Sequence, residues 1–485
     1  MPEQSLKHKT YNGFLWNFIE RALVQSLQLV LQIILARILF PSDFGLIGLM
    51  AIFIILSKNF YDGGLSTALI QKKDRTEEDF STVFYFNIVV CLACYLLIFI
   101  AAPYISTFYH APELKNVIRV FFIGLLIDSF SVIHRVKLVI ALDFRKSAIF
   151  TIIAVVISGG VGVWMAYSGY GVWSLVAQAI TSSLVTLIVL AIMVRWKPLL
   201  LFSRSSFKQL FGFGSKLLVA SLIDSFIDNF YIIIFGRYFS EEKVGYYTRG
   251  AQLPTVIVQM FTSVLDSVTF PAMTSIQDNK AYLIAIYRRL IRMISFLTVP
   301  AMVGLAFISE SFVRYALTEK WMPAVVLMQW FCFIRIFTPI NLLNISLLKV
   351  IGRSDTVLKM NIIRFPITLI VLFITIPYGI EAVVIGQFFM SIVSFLINSY
   401  MPGKLLGYGA IAQVKDILPA TISSAIMLGV LFLTVGKIEN DLVKMIVSFI
   451  AGSASYLLVN ILLKTEGILE IRSLMISLYK KFISA

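Results

Sequence analysis

The chain has 485 residues, 59% of them hydrophobic and 14% charged, with a formal net charge of +15. Soluble domains carry about 25% charged residues, so most of this surface must lie in lipid, and a water-soluble enzyme or nucleic-acid binder is excluded. Long apolar runs without alternation also exclude a lipid-embedded barrel, which leaves helices.

Residues 1–13 are polar, and the apolar run behind them is too long and internally too polar for a cleaved leader. It is read as a retained first helix. Runs of roughly 20 apolar residues then place about fourteen spans, at 14–39, 43–69, 82–106, 116–139, 148–168, 172–194, 209–236, 245–272, 283–309, 324–348, 358–377, 380–400, 416–436 and 443–463. All connecting loops are short. With a cytoplasmic N-terminus, about 26 Lys and Arg fall at inner ends and about 10 at outer ends, the asymmetry expected of short-looped membrane proteins. The basic excess is therefore an orientation signal. The expected protein is multi-pass in the cell inner membrane, with both termini cytoplasmic.

In the first helix Asn17, Arg21, Gln25, Gln28 and Gln32 follow at spacings of 4, 4, 3 and 4 and share one face. Arg37, in "LARILFPSDFGLIGL", lies about 160° around the helix from that stripe, which suits snorkelling or a pair with Asp43. Lys58 and Asp62 stand one turn apart in the second helix, spaced for a local ion pair. The "CLAC" of Cys91 and Cys94 sits mid-helix and reads as packing; with Cys332, three cysteines make no disulfide framework. His134, beside Arg135, is placed at the interface, and His8 and His110 in loops.

The seventh helix opens with "FGFGSK", which lacks the spacing of a phosphate loop, and carries Lys216 and Asp224. The eighth holds a second stripe, Arg249, Gln252, Gln259, Ser263 and Asp266. Arg335 lies in the tenth helix, and Asn361, Arg364 and Thr368 in the eleventh. Asn344-Ile-Ser346 has the form of a sequon but falls within a presumed helix. No Cys/His cluster, nucleophile elbow or Walker motif is present, so neither an enzyme nor a cofactor is expected.

The chain repeats itself. "ARILFPSDFGLI" (36–47) aligns with "GRYFSEEKVGYY" (236–247), matching Arg37 to Arg237 and Gly45 to Gly245. "SGYGVWSLV" (168–176) aligns with "IPYGIEAVV" (376–384), and "DFRKS" (143–147) with "IGRSD" (351–355), both at an offset of 208. Shifted by 200, Arg21, Gln25, Gln28 and Gln32 become Ser221, Ser225, Asp228 and Ile232, so the polar face recurs. Six helices per half put both halves in the membrane in one orientation, related by an axis along the normal. The expected architecture is all-α, with about 14 transmembrane helices: two six-helix lobes, 1–208 and 209–402, in a pseudo-twofold arrangement, then two extra helices and a cytoplasmic tail in 403–485.

A charge at bilayer depth costs at least about 2.5–3.5 kcal/mol, so these groups should face a cavity or a partner. Helix–helix bonding is one reading; a wet cavity between the lobes accounts for both aligned stripes. A cavity rich in Arg and Lys suits an anion, and guanidinium fits phosphate. Arg21, Lys216, Arg249, Arg335 and Arg364 are the candidate anion-holding groups, with Gln25, Gln28, Gln32, Asp228, Gln252 and Gln259 as hydrogen-bonding partners.

The stretches "ARILFPSDFGLIGL", "DGGL" (62–65), "ALIQ" (68–71) and "GYGVWSLVAQ" (169–178) resemble those of polysaccharide-transport flippases. These are the Wzx-type branch of the multidrug/oligosaccharidyl-lipid/polysaccharide (MOP) superfamily, colanic and teichuronic acid exporters among them. The resemblance extends along the whole chain and implies a two-lobed transporter with a cationic cavity. Its implied substrate is an undecaprenyl-diphosphate-linked oligosaccharide, turned across the inner membrane by alternating access, with polysaccharide assembly proteins as possible partners. Two other readings are open: a cation-coupled multidrug antiporter of the same fold, using Glu20, Asp128, Asp224, Asp228 or Asp266, and a non-transporting scaffold of a glycan assembly complex.

Overall fold

A computed structural model describes residues 23–468 and 470, apart from 142. It also leaves out the side chains of 144, 224, 227, 228, 263–268, 270–272, 354 and 358. Every described element is helical. In chain order they are α1 (Leu23–Ile38), α2 (Pro41–Asp62), α3 (Leu65–Gln71), α4 (Glu77–Phe108), α5 (Leu114–Ser129), α6 (Val132–Ile140), α7 (Phe144–Tyr167) and α8 (Val172–Val194). There follow α9 (Arg204–Tyr238), α10 (Glu241–Thr274), α11 (Lys280–Phe312), α12 (Ala324–Val350), α13 (Ser354–Thr375), α14 (Ile380–Leu406), α15 (Ala410–Val435) and α16 (Asp441–Leu462). Among the described residues ten helices are long and apolar enough to cross a membrane, or 11 if the bent pair α5–α6 is one span. Among the described residues each expected segment overlaps helix, but the helices over 209–236 and 245–272 are not among the long apolar ones.

The breaks follow local chemistry. The single helix expected at 43–69 divides at Gly63–Gly64, whose φ values are +54° and +66°. The one expected at 116–139 bends by 40° between α5 and α6. At the head of α2, Pro41 occupies the first turn, where its missing N–H costs nothing, and the Asp43 carboxylate accepts from the Phe40 N–H (2.8 Å). Thr76 and Asp79 cap α4 reciprocally: Asp79 N–H donates to Thr76 Oγ1 (3.3 Å) and Thr76 N–H to Asp79 Oδ2 (2.9 Å). That cap starts α4 five residues ahead of the expected 82.

Repeat-related ends match. Leu39 N–H bonds to Leu35 O and Phe239 N–H to Phe235 O, both at 2.8 Å, so α1 and α9 end 200 residues apart. Likewise α7 and α13 end at Tyr167 and Thr375 and α8 and α14 begin at Val172 and Ile380, an offset of 208 in both cases. The glycines before those starts, Gly171 and Gly379, both adopt positive φ (+54° and +98°). Their ψ values of −131° and 175° put them in backbone conformations that a Cβ disfavours.

Two compact units divide the chain, Met1–Gly245 and Tyr246–Ala485. In the first, Leu65, Leu69, Phe80, Val83, Ile133 and Leu210 form a buried core joining α3, α4, α6 and α9. Also within it, the first turns of α2 and α10 cross at Gly45 and Gly245. A Cβ built on Gly45 would fall on the Glu241 carbonyl, and one on Gly245 on the Pro41 carbonyl.

The second unit packs Met273, Leu283, Ile291, Leu343 and Leu347 around a buried polar group. Tyr287 Oη donates to Asn344 Oδ1 (2.5 Å), and Gln413 Nε2 donates to the same oxygen (2.9 Å). Asn344 thus ties α11, α12 and α15 together, and its sequon form is incidental.

Candidate functional site

The described part of the first stripe begins at Gln25, because Arg21 lies outside the described residues. Gln25 and Gln32 are half-buried and Gln28 is exposed. Leu31, about 100° around α1 from Gln32, is in tight contact with Gly159 of α7. Ala36, one turn beyond Gln32, is fully buried, so packing and the glutamine stripe share a side of α1.

Elsewhere in the first unit, several polar residues serve the fold. Asn59 Nδ2 donates to Ser225 Oγ (2.8 Å) and to Ser221 O (3.2 Å), so these two members of the recurring stripe bind α9 to α2. The local pair expected of Lys58 and Asp62 is not formed. Asp62 accepts from the Ser66 hydroxyl one turn on, and Lys58 is exposed. Asp128, buried at the α5–α6 bend, accepts from Tyr61 Oη (3.0 Å), Arg135 (2.5 Å) and Ser131 Oγ (3.3 Å). A carboxylate so satisfied is a poor coupling site for a cation. Asp228 and the other aspartates of that reading, 224 and 266, have side chains outside the described ones.

Cys91 is buried with its thiol 3.6 Å from Leu125 O, and both it and Cys94 are free, as packing requires. His134 packs edge-on against Trp196. The "FGFGSK" stretch lies inside α9, so it forms no loop, and its Lys216 is exposed.

The second unit gathers more of the expected set. Arg249 and Gln252, one turn apart on α10, hydrogen-bond to each other. From α12, Arg335 Nε donates to Thr255 Oγ1 (3.1 Å), one further turn along α10. The helices come this close because Gly250 packs against the backbone of α12 at Ala324 and Met328. The Arg249 guanidinium lies 6.0 Å from the ring centre of Trp321, within cation–π range. Nearby, Gln387 Nε2 of α14 donates to Tyr247 Oη (3.0 Å). Two guanidinium groups thus sit among amide, hydroxyl and aromatic groups. Gln259 continues the α10 stripe and is exposed; Arg364, half-buried on α13, forms no ion pair with any described residue.

Thr255, Tyr247, Gln387 and Trp321 were not anticipated. Thr255 follows Gln252 at helical spacing, and Gln387 is a lone amide in an apolar run; either pattern could have marked them. Among the described residues no group of three or more His, Cys, Asp or Glu could hold a metal ion.

A family model described as "Polysaccharide biosynthesis protein" matches residues 34–326, more than half of the chain. The chain belongs to that family. Relatives similar to it along most of their length include the teichuronic acid biosynthesis protein TuaB of Bacillus subtilis, 24% identical and covering 93% of this chain and 95% of TuaB. The lipopolysaccharide biosynthesis protein WzxC of Escherichia coli is 26% identical, covering 74% of each chain. Among solved structures, the lipid II flippase MurJ in an inward closed conformation superposes with a TM-score of 0.75 at 15% identity, over 94% of this chain and 99% of that one. An inward-facing multidrug resistance transporter of the MATE family gives 0.57 at 19% identity, over 81% and 100%. At these identities the structural matches establish the fold alone.

Proposed function

We propose that this family member is a flippase that turns an undecaprenyl-diphosphate-linked oligosaccharide from the cytoplasmic to the outer leaflet of the inner membrane. It works by alternating access, in surface polysaccharide biosynthesis, with both termini in the cytoplasm. The observation that carries this reading is the placing of Arg249 and Arg335 on adjoining helices, among Gln252, Thr255 and Trp321. Planar guanidinium forks suit a diphosphate, amides and hydroxyls suit sugar, and stripping the substrate of bulk water strengthens each contact. The names of TuaB, WzxC and MurJ, all of them tied to bacterial surface glycans or their lipid-linked precursors, support the same substrate class.

The repeat assigns 1–208 and 209–402 to two rocking lobes and 403–485 to an appended pair of helices. Arg21, Lys216 and Arg364 complete the cationic set, while Gln25, Gln28, Gln32, Asp228 and Gln259 hydrogen-bond the glycan. Nothing in this task calls for bond chemistry, and the chain's residues bind and release only.

The test replaces the chromosomal gene with the Arg249→Ala/Arg335→Ala double variant. Lipid-linked oligosaccharide should accumulate on the cytoplasmic leaflet and surface polysaccharide should fall, with the variant still present in the membrane at parental level. Surface polysaccharide at parental level with no accumulation would sink the proposal.

A further inference from the structure

The linker between α8 and α9 carries an arrangement that substrate binding does not use. Residues 195–208, RWKPLLLFSRSSFK, contain four cations and no acidic residue. Their backbone is tied to the head of α4. Leu199 N–H donates to Ser81 Oγ (2.9 Å), Ser203 N–H to Thr82 Oγ1 (3.0 Å) and Trp196 Nε1–H to Glu77 Oε2 (2.6 Å). Ser81 and Thr82 are fully buried, so the anchors are fixed.

Between them Leu201 N–H bonds to Leu199 O (2.8 Å), closing a three-residue turn that thrusts Leu200 outward, 97% exposed. Leu199, Leu201 and Phe202 are exposed beside it. A flexible loop could fold such side chains inward; this one is held with its apolar tip out. Around the tip Arg195, Lys197, Arg204 and Lys208 are exposed, and none of the four forms an ion pair with a described residue. Of the three acidic groups in the first turn of α4, Glu77 is engaged by Lys137 and Asp79 by Lys72, while Glu78 is exposed.

Apolar tips set in a ring of cations fit one environment, the boundary between headgroups and acyl chains of a leaflet rich in anionic lipid. We infer that the 195–203 linker, with the first turns of α9, is a membrane anchor, with Leu200 and Phe202 inserted below the headgroups and Arg195, Lys197, Arg204 and Lys208 bound to anionic lipid phosphates. The loop lies at the basic ends of the helices, which places the anchor in the cytoplasmic leaflet. The inference is independent of what the protein transports.

The test labels Leu200→Cys, in full-length protein whose three native cysteines are replaced, with an environment-sensitive fluorophore. A second protein carries the label at Phe202→Cys, so that one poorly folding variant does not decide the outcome. In vesicles of phosphatidylglycerol and phosphatidylcholine, emission should shift to the blue and be quenched by lipids spin-labelled near the headgroup. Replacing Arg195, Lys197, Arg204 and Lys208 by Gln should reduce that quenching to the level in phosphatidylcholine alone. Water-like emission freely quenched by aqueous iodide at both sites overturns the inference. So does quenching that ignores both lipid charge and the Gln replacements, and so does shielding seen in native membranes but lost in pure lipid, which would reveal a protein partner.

Discussion

Arg335 is fixed by a neighbour, and that distinguishes it from a generic positive charge. Its Nε donates to Thr255, which orients the guanidinium plane. Lys keeps the charge but not the fork. Losing one charge-assisted hydrogen bond, about 1.5–3 kcal/mol, corresponds to roughly 10- to 100-fold. Arg335→Lys should therefore cut the flipping rate by about that factor in reconstituted vesicles, while Thr255→Val, which frees the plane but retains the ion, should cost about tenfold or less. Equal rates for Arg335→Lys and the parent would show that only net charge matters. At this scale the sequence showed the charged members of the cluster, because an Arg in an apolar run is conspicuous. It hid Thr255 and Tyr247, which are unremarkable in a membrane helix until a partner across the packing gap makes use of them.

Helix ends were the most legible elements, since proline, capping side chains and glycine act within a few residues. Gly171 and Gly379 show how far this goes. They share a place in the repeat and a positive φ, and Ala at either should cost about 1–3 kcal/mol of backbone strain. Gly171→Ala and Gly379→Ala are thus expected to lower the thermal unfolding midpoint in detergent by similar amounts, whereas strain at one site alone would give a single destabilised variant. Breaks inside helices were less visible, because the bend at the α5–α6 junction depends on Asp128 finding Tyr61 and Arg135 on other elements. Long-range polar ties were hidden for the same reason. Asn344→Ala leaves Tyr287 and Gln413 buried without their shared acceptor, at about 1–3 kcal/mol for each group stranded. The expected result is a clear fall in the same unfolding midpoint; an unchanged midpoint would mean that water replaces the amide.

Over the whole molecule, the repeat and the distribution of Lys and Arg together specify an orientation. With native cysteines removed, a cysteine in place of Glu242 should react with a membrane-impermeant thiol reagent added to intact cells, and one in place of Arg353 should react only after the membrane is opened. The reverse pattern would invert the protein. Composition and hydropathy disclosed the fold because lipid imposes one rule on every helix, whereas the arrangement of the site depends on contacts between helices far apart in sequence. The crossing of α2 and α10 connects these scales. Gly45 makes room for the backbone at Glu241, and Gly245, its counterpart in the repeat, makes room for the backbone at Pro41. Neither glycine can acquire a side chain without displacing the main chain that faces it.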